Sequence, residues 1–434
     1  MLATSDASHV QLGRKPSRRK PASGVKAAAP LAPSGALSHV RVLDLSRVLA
    51  GPWATQLLGD LGAEVIKIER PGNGDDTRAY GPPWVKCPEG TDTDVSAYYL
   101  SANRNKESVT IDFTRPAGQA LVRDLAAQSD VLVENFKVGT LARYGLDYAT
   151  LAAINPRLIY CSITGFGQDG PYAERSGYDF LIQGMGGLMS ITGAPDGTPA
   201  KAGVALVDVM TGLYASNAIL AALAWRERSG EGQYIDLGML DVQVAALANQ
   251  ALNYLTSGKT PARLGNAHPN IVPYDACPTA DGHMILAVGN DAQFARFCIE
   301  AGTDWVADPR FGTNAARVKH RGILIPLVHE LTRTRTTAEW IAALEAASVP
   351  CGPINDIGKV FQDPQVCHRG MKIEMAHPAS GKVSLVASPI RMSRTPPTYR
   401  KAPPGLGADT QELLGRLLGK QADALAELSR DGVI

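Results

Sequence analysis

The chain lacks the residue patterns of metal, redox or P-loop chemistry. Its six cysteines are Cys87, Cys161, Cys277, Cys298, Cys351 and Cys367, and no two form a CxxC. No HExxH is present, so neither a zinc nor a disulfide framework is expected and no metal site is assigned. Without a GxxxxGK(S/T) run there is no P-loop to cradle phosphates. An excess of one charge is missing too. The 43 Lys and Arg against 42 Asp and Glu leave a formal charge of +1, which favours neither nucleic acid nor a membrane as partner. Long hydrophobic runs are scarce. The longest nearly apolar stretch, 210–225, carries Thr211, Ser216 and Asn217 and reads as too short and too polar to span a bilayer. What is there is 434 residues at 45% hydrophobic, enough for two domains with buried cores.

Residues 1–38 differ from the rest. They hold Arg14, Lys15, Arg18, Arg19, Lys20 and Lys26 among many Ala, Ser and Pro, with Asp6 the one acid. That is the composition of a disordered basic tail. An Arg- and Ser-rich, acid-poor start also suits a mitochondrial transit segment, although Pro16, Pro21, Pro30 and Pro33 break any long amphipathic helix. The expected location is cytoplasmic, with the mitochondrial matrix as the alternative.

From Val40 strands and helices alternate. VRVLDL (40–45), AEVIKIE (63–69), SVTIDF (108–113), DVLVENF (130–136) and RLIYCSITGFG (157–167) read as strands. TQLLGDLG (55–62) and AGQALVRDLAAQ (117–128) read as helices between them, and DVQVAALANQALNYL (241–255) as a single helix further on. This order predicts an α/β fold, a large Rossmann-like domain around a parallel sheet. After Gly258 the texture changes. Residues 259–350, with HMILAVG, AQFARFCIEAG and TAEWIAALEAA, are expected to form a smaller inserted α+β domain. The large domain is then built from 39–258 and from 351–434, which ends in the helix ADTQELLGRLLG.

GFGQDG (165–170) matches GxGxxG, but Pro171 and Tyr172 follow and no helix begins there, so a dinucleotide site is not expected. A turn that lets backbone approach a ligand fits better. GMGG (184–187) and LGNAHPN (264–270) read as loops, candidates for lids. Arg47, Lys67, Arg70, Arg104, Lys106, Lys137 and Arg143 fall near strand ends. Each suits a solvated face, and several together suit an anionic ligand.

Asp208 stands out. In GVALVDVMTGLYASNAILAALAW it is expected to close an apolar strand and open a long helix. An Asp in that place is a preferred N-cap. The helix N-terminus would also keep the carboxylate ionised, the form that attacks a carbonyl. Cap and nucleophile both stay open on the residues alone.

Taken in order, LDLSRVLAGPWATQLLGDLGAEVIKIERPGNGDDTR, LSANRNKESVTIDF, VLVENFKVGTLARYGLDY, NPRLIYCSITGFGQDGPYAERSGYD and RSGEGQYIDLGMLD resemble the class III CoA-transferases. This family includes formyl-CoA and carnitine CoA-transferases and α-methylacyl-CoA racemases. Within it, GDDTRAYGPPWV, YYLSANRNK, NAHPNIVPYDA and SVPCGPIND are most similar to the branch that passes CoA from succinyl-CoA to glutarate.

The resemblance implies that Asp208 is the catalytic nucleophile. It implies a CoA thioester as substrate with no prosthetic group, aspartyl anhydride and aspartyl–CoA thioester intermediates, and an interlocked homodimer. For CoA it points to Ala50, Arg70, Ile111, Asn135, Phe136, Lys137, Arg143, Tyr178 and Asp179. Arg47, Arg104 and His268 are candidates for an acceptor's distal carboxylate. The racemase branch has a His thirty positions before its Asp, where this chain has Tyr178. That departure favours transfer over racemisation. A racemase and a non-catalytic CoA-binding protein are the alternatives.

Overall fold

A computed structural model describes residues 35–434. The basic residues of the tail, Arg14 to Lys26, lie outside the described residues.

The parallel sheet forms because its strands are apolar on both faces. In β1 (Arg41–Asp44) Val42 faces one side and Leu43 the other, and both are fully buried. Alternation of this kind buries a strand between two helical layers. After β2 (Glu64–Glu69) come a hairpin, β3 (Trp84–Lys86) and β4 (Asp92–Ser96), then β5 (Lys106–Thr110), β6 (Val131–Glu134), β7 (Ile159–Thr164) and β8 (Tyr234–Gly238). Six of them pair in the order β5-β2-β1-β6-β7-β8, every pair parallel. The mixed α/β architecture with a parallel sheet agrees with the sequence expectation. One core cluster joins Val42, Val133 and Cys161 to helices Ala50–Asp60 and Leu206–Ser229. The other joins Leu43, Leu132 and Tyr160 to helices Pro116–Ala127 and Thr410–Leu418.

A separate cluster lies further along the chain. An antiparallel sheet of β9 (Tyr274–Pro278), β10 (His283–Ala287) and β11 (Cys351–Pro353) packs with Phe294, Phe297, Leu324 and Trp340 of surrounding helices. A two-stranded sheet, β12 (Lys372–His377) with β13 (Gly381–Val386), precedes the last helices.

Three sequence expectations change. No strand precedes Asp208, because residues 199–205 are irregular. The single helix expected over 241–255 is two, Met239–Ala246 and Ala248–Ser257, broken where Ala248 takes a φ of 45°. Finally, helix Leu206–Ser229, at 24 residues, is long and apolar enough to cross a membrane by length and composition. Half of its apolar window is nevertheless buried inside the protein, where Val207, Ala215 and Ile219 join the sheet's core.

The sheet order places a switch point between β1 and β6. The chain runs outward from β1 through β2 to β5, then returns to lay β6 on the other side. Loops leaving neighbouring strands in opposite directions open a crevice there, at the carboxyl ends of the strands.

Candidate active site

The two loops at the switch point are tied together. Asn135, just after β6, accepts from the Arg47 amide at 2.8 Å through Oδ1 and donates to the Arg47 carbonyl at 2.7 Å through Nδ2. Between them Val48 holds a φ of 70°, a costly conformation for a β-branched residue. Its amide donates to Asp75 Oδ1 at 3.2 Å. Sequence patterning gives no signal for that strain.

Beneath these loops lies a bed of buried charge. Lys67 pairs with Asp75 at 2.8 Å and Lys106 with Asp44 at 3.0 Å, all four side chains inaccessible to water. Lys67 Nζ also donates to the Ser46 carbonyl at 2.9 Å. Burial pushes the Asp75 carboxyl up, but Lys67 outweighs it and lowers the group to about 2. Away from the loops, at the far end of helix Ala50–Asp60, Arg104 forks onto Asp60, with 2.8 and 2.6 Å bonds, and is buried. These pairs correct the expectation that Lys67, Arg104 and Lys106 converge on a ligand. Burial without a partner would be prohibitive for each, so the fold supplies an internal carboxylate.

Two cavities meet above this bed, sharing Arg47, Asp76 and Phe136. One is lined by Arg70, Ile111, Phe113 and Thr114. The other is lined by Ala50, Asn135, Lys137, Tyr178 and Asp208. Of the residues singled out in the sequence, these cavities gather Arg47, Ala50, Arg70, Ile111, Asn135, Phe136, Lys137, Tyr178 and Asp208. Arg143 lies outside both, exposed on a 3-10 turn at Leu141–Tyr144. His268 also lies outside both, its ring centroid 5.4 Å from that of Tyr274 and its Nδ1 accepting from the Asn270 amide.

Asp208 reaches its cavity because Gly212, one turn later, lets two helices touch. A Cβ at Gly212 would sit 2.8 Å from the Ala50 carbonyl oxygen. Asp208 is not the helix cap expected from the sequence. It is the third helical residue, the N-cap position is Ala205, and no side chain caps from there. The free amide of Val207 instead donates to Asp179 Oδ1 at 2.8 Å. Asp179 is itself held by Gln183, whose Nε2 donates to Oδ2 at 2.7 Å.

Asp208 is thereby released from capping. No hydrogen-bond donor reaches its carboxylate among the described residues. Burial, and then the Asp179 charge, pushes its pKa up to about 7. This corrects the expectation of a firmly ionised group: desolvation outweighs the helix dipole. A carboxylate so poised is short of stabilising partners and correspondingly reactive. The Tyr98 phenol, pushed up to about 12 by burial and then by the Asp208 charge, stays neutral.

Sequence reasoning missed three residues here. Glu134, buried at the end of β6, accepts from the Phe136 amide at 2.8 Å and from the Ser162 hydroxyl, and so shapes the turn that carries Asn135, Phe136 and Lys137. Tyr98 is the second. Arg175, a cation in the Asp208 cavity, is the third. It sits in the quoted stretch AERSGYD, but nothing in spacing separates it from an exposed loop arginine.

The sequence matches the family described as CoA-transferase family III over residues 37–410. It is 52% identical over 382 residues to the succinate–glutarate CoA-transferase of Agrobacterium fabrum, covering 88% of this chain and 95% of that one. To the human succinyl-CoA:glutarate CoA-transferase it is 45% identical, covering 92% and 90%. A crystal structure of a CAIB/BAIF family protein from Brucella suis superposes with a TM-score of 0.78 at 49% identity, covering 88% of this chain and all of the other.

Proposed function

The chain belongs to CoA-transferase family III, and from that premise we propose that it passes CoA from succinyl-CoA to glutarate through acyl intermediates on Asp208. The observation that carries the mechanism is an unpaired carboxylate, free of any capping bond, lining one of two adjoining cavities.

A carboxylate oxygen of Asp208 attacks the thioester carbonyl of succinyl-CoA. The C–S bond breaks, CoA leaves as thiolate, and a succinyl–aspartyl anhydride remains. The thiolate attacks the aspartyl carbonyl, releasing succinate and forming an aspartyl–CoA thioester. A glutarate carboxylate attacks that thioester and expels the thiolate, leaving a glutaryl–aspartyl anhydride. The thiolate then attacks the glutaryl carbonyl, glutaryl-CoA leaves, and the Asp208 carboxylate is restored. Each step exchanges one activated acyl bond for another, so no ATP is consumed. Water must be kept out, because it hydrolyses the anhydrides.

CoA lies along the groove in this reading. Arg70 meets its nucleotide end, and Ile111, in the same cavity, lies on the path towards the thioester. Asn135, Phe136, Lys137 and the Ala50 backbone line the chain towards the thioester, and Tyr178 and Asp179 flank the reacting carbonyl. Residues 259–350 form an inserted domain, supported by their own buried cluster. Two chains form an interlocked homodimer, supported by the exposed Leu213, Tyr214, Trp225, Val244, Leu252 and Leu255 on three successive helices, more apolar surface than such helices normally leave free.

The test is Asp208→Ala. Transfer of label from succinyl-CoA to glutarate should fall at least about 10⁴-fold, a loss typical for a covalent nucleophile. CoA binding, followed by calorimetry, should change little. Retained transfer in that variant ends the mechanism.

A further inference from the structure

Asp208 accounts for the carboxylate that reacts; the other end of a dicarboxylic acid needs a holder of its own. We propose that Arg175 grips the distal carboxylate of the acid bound at Asp208, and so sets the preference for dicarboxylates; this rests on the dicarboxylate reading above.

A second carboxylate beside Asp208 brings negative charge into a cavity that already holds an acid. A fixed cation has to balance it. Among the described residues, three cations line that cavity: Arg47, Lys137 and Arg175. Arg47 is engaged, its Nη1 on Asp76 at 3.0 Å and its backbone stapled to Asn135. Lys137 follows Phe136, one of the three residues shared with the neighbouring cavity. It presents a point charge without a planar fork, and the reading above places it along the CoA chain.

Arg175 has no carboxylate partner among the described residues. Its guanidinium carbon lies 4.7 Å from the centroid of the Tyr172 ring and 5.1 Å from that of Phe166. Nη2 donates to the Met185 sulfur at 3.7 Å, a weak acceptor. Aromatic rings hold a guanidinium in place without consuming the in-plane donors that fork onto a carboxylate. The cation is thus oriented and available.

The backbone that carries Arg175 is pinned to the same frame as the nucleophile. A Cβ at Gly165, at the end of β7, would sit 2.5 Å from the Gly177 Cα, so two glycines are needed for this crossing. Two residues past Gly177, Asp179 takes the Val207 amide, next to Asp208. One segment, 165–179, therefore carries both the cation and the contact that frees Asp208 from capping.

The experiment uses the full chain and two exchange reactions: glutaryl-CoA with labelled glutarate, and pentanoyl-CoA with labelled pentanoate, which lacks only the distal carboxylate. Arg175→Gln should lower the glutarate-to-pentanoate ratio of kcat/KM by about 30- to 100-fold, mainly through KM for glutarate, as expected when a charged hydrogen-bonding partner is removed. Arg175→Lys should recover part of that ratio, because it restores charge without the fork. A ratio unchanged in Arg175→Gln, even with both rates reduced, overturns the assignment and leaves the dicarboxylate reading standing. A wild-type enzyme that exchanges pentanoate as readily as glutarate overturns the dicarboxylate reading, and the anchor with it.

Discussion

The charges under the groove and the charges in it obey opposite rules. Below, Lys67 with Asp75 and Lys106 with Asp44 are buried and paired, as is Arg104 with Asp60 at the far end of helix Ala50–Asp60. Above, Asp208 and Arg175 share a cavity with no ionic partner among the described residues. The lower set defines where the loops at the ends of β1 and β2 sit: Lys67 holds the Ser46 carbonyl, and Asp75 holds the amides of Val48 and Thr77. The upper set is left free to react or to bind. A charge satisfied by the fold builds the site, and a charge the fold leaves unsatisfied is available to work in it.

The sharpest way to break that contrast is to orphan a paired charge. Lys67→Met should destabilise the protein by about 3–5 kcal/mol, because Asp75 is left buried without its cation. Denaturant unfolding measures this, and a loss under about 1 kcal/mol would show that water reaches Asp75. Removing an unpaired charge should do the reverse. The Asp208 carboxyl has a folded pKa of about 7 against an ordinary value of 3.8. Its charge therefore costs nothing below about pH 4, and the full penalty applies above about pH 7. Asp208→Asn should accordingly gain about 1–2 kcal/mol at pH 8, discounted for partial exposure, and little at pH 4. Equal melting temperatures for the two proteins at pH 8 would contradict this.

The smallest effect sharpens the comparison inside the cavity. If Asp208 must be ionised to attack, kcat/KM should rise through a single limb near pH 7 in the wild type. Burial is the larger cause of that limb and Asp179 the smaller. Asp179→Asn should move it to lower pH by about half to one unit, leaving it above the ordinary carboxylate range. A limb that stays in place assigns the titration to another group.

Much of this was legible in the sequence. The strands of the sheet announce themselves by apolar runs separated by helical spacing, since burial on both faces demands it. Asp208 was visible as a lone acid in an apolar stretch. Its role as cap was misread, because a cap is identified by which carboxylate reaches a free amide. Here that carboxylate is Asp179, whose partner amide lies 28 residues away. The basic residues were misread for the same reason. Arg47, Lys67, Arg104 and Arg175 look alike as single letters near strand or turn ends, whereas Asp60 stands 44 residues from Arg104.

By itself the sequence determined most of the order of elements and the family, and it singled out Asp208 as a lone acid, because apolar periodicity and motif order are local properties of the chain. Only the tertiary structure decided which charges neutralise one another. That choice depends on distances of a few ångströms between remote segments, set by the packing of β1 and β6 at the switch point and by the touch of two helices at Gly212.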